Sequence, residues 1–130
     1  MLEIQERFDT VGYEKLASEA DCAELHITEA LDRDSVIGFI AYSYGMEKTV
    51  VYDYDSGGDI MLCDGLVRSV MLKSVLKGIK HMLFDLKEDG KFADLKKLGF
   101  IRGDSRQCND LESFMNGCQS CRNKKDNMKG

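Results

Sequence analysis

Residues 59–100, DIMLCDGLVRSVMLKSVLKGIKHMLFDLKEDGKFADLKKLGF, decide the fold. They read as a helix, a buried strand and a second short helix that ends in Leu98-Gly99-Phe100. On a 3.6-residue period Val67, Met71, Leu72, Val75, Leu76 and Ile79 share one broad arc, and Lys73, Lys77 and Lys80 share the other. That is the pattern of a helix lying on a wide apolar surface, most simply a sheet. Asp59 is placed to cap the helix and Gly78 to end it. The run His81–Leu86 is short, apolar and bounded by polar residues, which suits an interior strand. Asp64 and Arg68, spaced i and i+4, interrupt the apolar arc near the helix start. They read either as a mutual salt bridge or as an arginine reaching an anionic ligand while the aspartate holds its guanidinium.

Toward the N-terminus, three apolar stretches separated by short polar turns, 23–31, 36–44 and 49–55, form an antiparallel meander. Before them, Leu2 and Ile4 alternate with Glu3 and Gln5 as in a half-buried strand, and residues 10–20 carry a short helix. Ser56-Gly57-Gly58-Asp59 closes the meander ahead of the long helix. Toward the C-terminus, 92–98 is a short helix, Phe100-Ile101-Arg102 begins another strand, and a polar tail with five lysines and arginines and three cysteines follows Gly103. The order is strand, helix, three strands, helix, strand, helix, strand, tail, an α/β (α+β) arrangement with no internal repeat.

The bulk numbers restrict the function classes. A chain of 130 residues, 43% hydrophobic and 32% charged, suits one compact domain. A formal charge of −5 argues against a nucleic-acid partner, which a basic surplus normally announces. No apolar run is long enough for a membrane span and MLEIQERFD is no signal peptide, so a cytoplasmic protein without membrane association is expected. Five cysteines, an odd count, then speak for thiols or metal ligands over a disulfide framework. The one metal-like spacing is Cys108, Cys118 and Cys121, a Cys-x9-Cys-x2-Cys pattern that needs a further ligand to close a tetrahedral site. It reads as a metal or redox site or as idle reduced thiols, while Cys22 and Cys63 read as small core residues. His26 and His81 stand apart from carboxylates in sequence and read as structural.

The element order, with Ala93-Asp94-Leu95-Lys96-Lys97-Leu98-Gly99-Phe100 closing a terminal helix and Leu66–Gly78 forming the helix behind a loop, resembles the GNAT superfamily of acyl-CoA-dependent N-acyltransferases. The resemblance covers roughly residues 1–103 and leaves 104–130 as a cysteine-bearing extension, partly disordered at its end. It implies a mixed, strongly bent GNAT-like sheet of about six to seven strands with helices on both faces. It further implies acetyl-CoA or another acyl-CoA as cofactor, a small-molecule or peptide amine as acceptor, and leaves room for a homodimer. Two departures stand out. Where the family places a Gln/Arg-x-x-Gly-x-Gly/Ala loop whose amides hold a pyrophosphate, this chain has Ser56-Gly57-Gly58-Asp59. Gly57 and Gly58 let a phosphate approach, and Asp55, Asp59 and Asp64 surround it with negative charge. Four residues before Gly99, where many members carry a tyrosine that protonates the departing thiolate, stands Leu95.

The resemblance therefore implies direct attack of an amine on the thioester, with Asp53 or Asp55 accepting the proton and Tyr52 or Tyr54 as the substitute proton donor. Gly57, Gly58, Asp64 and Arg68 are the expected cofactor-binding residues. Two other classes stay open: a non-catalytic module that binds a ligand or partner in the same cleft, and a metal or redox module centred on Cys108, Cys118 and Cys121.

Overall fold

The structure is a computed structural model, and it describes residues 2–20, 22 and 24–115. Its elements are β1 (Leu2–Glu6), α1 (Glu14–Glu19), β2 (His26–Asp32), β3 (Ser35–Tyr44), β4 (Lys48–Asp55), α2 (Ile60–Leu76), β5 (His81–Phe84), α3 (Gly90–Lys97) and β6 (Gln107–Cys108). Residues 111–115 add a helical turn. The six strands form one sheet in chain order. Every neighbouring pair is antiparallel except β4–β5, which is parallel because α2 carries the chain back across the sheet between them. No described helix is long and apolar enough to cross a membrane.

The core lies between α2 and the sheet. Rows at i, i+4 bring Leu62, Leu66, Val70 and Ser74, and beside them Cys63, Val67 and Met71, onto the buried face. They meet Ala30, Ile40, Tyr42, Val51, Tyr54, Met82 and Phe84 of the sheet and Phe92 and Leu95 of α3. Leu72 and Leu76, expected on the buried arc, are 49% and 77% exposed. The apolar arc of this helix is wider than the sheet can cover, and the covered part is the one led by Leu62. Ser74 keeps its buried place because its hydroxyl donates to the Val70 carbonyl at 2.9 Å and shares a 2.6 Å bond with the Thr49 hydroxyl.

α1 lies over the opposite face across a cleft, so the sheet carries helices on both sides. Tyr13, just before α1, lays its ring 5.0 Å from that of Phe39 and donates its hydroxyl to Glu29 at 2.5 Å. Glu29, in turn, faces away from α2 and also receives Arg7.

Two terminal elements differ from the sequence reading. β1 is an edge strand with all five residues exposed, where half-burial was expected. Phe100-Ile101-Arg102 forms no strand, and its Phe100 and Ile101 are buried in the core outside the sheet; the last strand is Gln107–Cys108, paired with Met82 and Leu83.

Gly38 on β3 sets how closely α2 approaches. A Cβ there would sit 2.6 Å from the Asp55 carbonyl oxygen and 3.1 Å from Leu62 Cδ2. Gly38→Ala should therefore cost about 1–3 kcal/mol, seen as a lower urea midpoint with an unchanged m-value.

Candidate functional site

The site begins where two strands part. β4 pairs with β5 only from Lys48 to Val51, opposite His81 to Phe84, and the last bond across the pair is Asp85 N–H to the Val51 carbonyl at 2.8 Å. β4 continues through Asp55 alongside β3 alone. At the same point its register with β3 slips: Tyr42 faces Val51 and Ala41 faces Asp53, which leaves Tyr52 as a bulge. A bulge bends its strand and sharpens the local twist, which turns the end of β4 away from β5.

A cleft of about 630 Å³ opens between this end of β4, α1 and the segment after β5. Tyr13, Phe39 and Tyr52 give it aromatic walls, and Glu14, Glu19, Asp53, Asp85 and Glu88 outnumber Lys15 and Lys87 in its lining. Lys87 is engaged by Glu19 at 3.5 Å, and the carboxylates of Asp85 and Glu88 have no ion-pair partner among the described residues. Aromatic faces with surplus carboxylates favour a cation.

The backbone of Tyr54, on the open edge, is already occupied. Its N–H donates to Asp53 Oδ1 at 2.9 Å, and its carbonyl accepts from Lys91 Nζ at 2.7 Å. Lys91 Nζ also reaches Asp53 Oδ1 at 2.6 Å. From the other direction the Tyr54 hydroxyl donates to the Lys91 carbonyl at 2.6 Å. The start of α3 is thereby tied to β4 across the gap.

The remaining candidates fall into separate places. Tyr54 is 2% exposed, and burial, with the Cys63 thiol beside it, holds its hydroxyl well above the usual tyrosine range. Tyr52 lines the cleft and shares a 3.2 Å bond with the Ser43 hydroxyl. Asp55 is exposed and accepts Gly57 N–H at 2.8 Å. Gly57 and Gly58 both take left-handed backbone, φ +60° and +81°, as the turn into α2 requires. Asp59 caps α2, taking Met61 N–H at 2.9 Å and Leu62 N–H at 3.2 Å. Asp64 and Arg68 are joined by a 2.9 Å bond, and the guanidinium lies over the rings of Phe100 and Phe114 at 5.5 and 5.4 Å. Their reach is toward the segment that follows α3.

These residues do not fit the pyrophosphate of a coenzyme A. The loop brings carboxylates, not cations, to the helix start, and Asp55 and Asp59 already take the Gly57, Met61 and Leu62 amides there.

Cys108 and Cys63 are buried and unbridged, and Cys118 and Cys121 lie outside the described residues. Among the described residues no three His, Cys, Asp or Glu side chains are placed to hold a metal. His26 lies between Glu6 and Glu24 at 3.6 and 3.4 Å, and His81 Nδ1 accepts Asp110 N–H at 3.4 Å. Sequence reasoning missed Lys91. Its partners lie 37 and 38 positions away, and no local pattern signals such a contact.

The fold is that of the GNAT N-acetyltransferases. A GNAT family acetyltransferase from Elizabethkingia anophelis with acetyl-CoA bound superposes with a TM-score of 0.58 at 14% identity, covering 84% of this chain and 93% of that one. The protein of a KacTA–DNA complex gives 0.61 at 17% identity, covering 92% and 99%. The PaiA N-acetyltransferase of Thermoplasma acidophilum in complex with coenzyme A gives 0.52 at 18% identity; the match takes in 63% of this chain and 55% of that one. At such identities the likeness is one of fold. No protein-family model and no curated protein matches the sequence.

Burial pushes the Cys63 and Cys108 thiols up to about 11. Folding favours their neutral forms, so this contribution is complete below the ordinary value of 9.0 and is lost as pH rises toward 11. Peptide mapping after iodoacetamide at neutral pH should find both unmodified in the native protein and both modified in urea. Urea midpoints should fall as pH is raised through that interval.

Proposed function

We propose that this protein binds a cationic amine in the cleft between α1 and the free end of β4, as a ligand-binding module on a GNAT scaffold. The observation that carries the reading is the lining of the cleft. Aromatic walls and surplus carboxylates stand beside the point where β4 and β5 part, and two of those carboxylates, Asp85 and Glu88, have no ion-pair partner among the described residues. The cofactor half of the scaffold is filled by the chain itself: Asp59 and Asp55 on the helix-start amides, Lys91 and Asp53 on the Tyr54 edge.

A second reading, an acyl-CoA-dependent N-acyltransferase acting on that amine, is favoured by the parting of β4 from β5 and the bulge at Tyr52. The GNAT-fold structures with coenzyme A or acetyl-CoA bound add to it. In that reading Asp53, at the cleft, is the better placed of the two aspartates to take a proton from the amine.

Thermal unfolding with a panel of linear polyamines and alkylamines, and separately with millimolar acetyl-CoA, separates the readings. A ligand at a hundred times its Kd stabilises by about 2.7 kcal/mol, so binding is visible as a raised Tm. The module reading expects stabilisation by amines and none by acetyl-CoA. Stabilisation by acetyl-CoA together with an acetylated amine in the mass spectrum would replace it with the acyltransferase. A flat response to every amine would remove the module reading, and a flat response to acetyl-CoA as well would remove both.

A further inference from the structure

We infer that the free end of β4 carries a built ammonium-binding site, and that the chain's own Lys91 occupies it as a stand-in for the ligand. The inference shares the amine cleft with the reading above and adds where the ammonium docks and what competes for it.

The Lys91 ammonium meets three groups that each favour a cation. Asp53 Oδ1 lies at 2.6 Å, the Tyr54 carbonyl oxygen at 2.7 Å, and the centre of the Tyr54 ring at 5.6 Å. A carboxylate, a carbonyl and an aromatic face around one primary ammonium are a complete recognition set for R–NH₃⁺. The set exists because of the fold. β5 ends its pairing at Phe84, so no strand supplies a donor to the Tyr54 carbonyl. Asp53, the residue after the bulge, folds its carboxylate back to take the Tyr54 N–H, and this holds Oδ1 in place next to that carbonyl.

Asp53 belongs to both the cleft and the site. It lines the cleft beside Tyr52 and it bonds Lys91, which reaches it from α3. The Lys91 side chain is 23% exposed and that of Asp53 35%, so neither is sealed in the core and the pair is open to exchange. The ligand class that follows is a primary alkylammonium on a flexible, unbranched chain, as in a lysine side chain or a linear polyamine. Occupancy by Lys91 makes the protein hold itself in a self-liganded state, and a free amine must displace it.

Lys91→Met tests this without dismantling the fold. Methionine keeps the length and apolar body of the side chain and removes the charge, and the bond from the Tyr54 hydroxyl to the backbone carbonyl of residue 91 survives. The probe is n-butylamine, with n-butanol as its neutral control, titrated into isotopically labelled protein while the Asp53 and Tyr54 amides are followed by NMR. An intramolecular competitor that fills the site in nine molecules of ten weakens apparent affinity by about tenfold. Lys91→Met should bind n-butylamine about tenfold or more tightly than wild type, ignore n-butanol, and lose the gain when Asp53→Asn is added. Equal affinity of Lys91→Met and wild type overturns the inference and leaves the amine-binding reading standing, as does full binding by the double variant. No binding by any form overturns both. Lys91→Gln, polar and uncharged, gives the same comparison should Lys91→Met fail to show a cooperative thermal transition.

Discussion

The architecture depends on one parallel strand pair that stops early. A parallel neighbour needs a crossover, and the long helix α2 is that crossover. Its packing fixes the sheet's core face, while the bulge at Tyr52 ends the pairing at Val51 and Phe84. Had the pairing continued, β4 would be an ordinary interior strand with no unpaired backbone groups. Because it stops, Tyr54 presents an N–H and a carbonyl that must be satisfied from elsewhere, since buried backbone groups left alone are expensive. Asp53 and Lys91 answer that demand, so the candidate site follows from backbone accounting as much as from side-chain chemistry.

Electrostatics then divide the scaffold into two halves with different prospects. The start of α2 carries the partial positive charge that draws anions, yet Asp59 and Asp55 neutralise it at short range. On the α1 side the balance is reversed, with carboxylates in excess around aromatic faces. Carboxylates thus crowd both halves, and the aromatic faces beside them on the α1 side are what the proposed reading takes as suited to a cation.

Much of this was legible where the signal is local. Asp59 as a cap, the Gly57-Gly58 turn, the three-strand meander and the position of α3 each rest on residues within one turn or hairpin of each other. The helix phase is less legible: Leu72 and Leu76 are as apolar as Val67 and Met71, and only the limited width of the sheet decides which pair is covered. β1 alternates properly and yet stays exposed, because alternation marks a strand and not its place at the sheet's edge. The spacing of Asp64 and Arg68 shows them as a pair, and the rings that receive the guanidinium, Phe100 and Phe114, are too distant in sequence to be inferred. The union of Asp53 with Lys91 has the same character: it is made by topology, and the letters around either residue are silent about it.

The attachment of α1 bears on how the cleft behaves. The six residues of this helix bury none of their number, and its hold on the sheet runs through the preceding Tyr13, wedged against Phe39 and hydrogen-bonded to Glu29. One wall of the cleft therefore rests on that phenol and on the surface pair Glu19–Lys87, while the opposite wall is built into a continuous β-layer. A wall held by so few contacts has the least packing to resist displacement, so local opening is expected to begin at α1 and to leave the sheet in place.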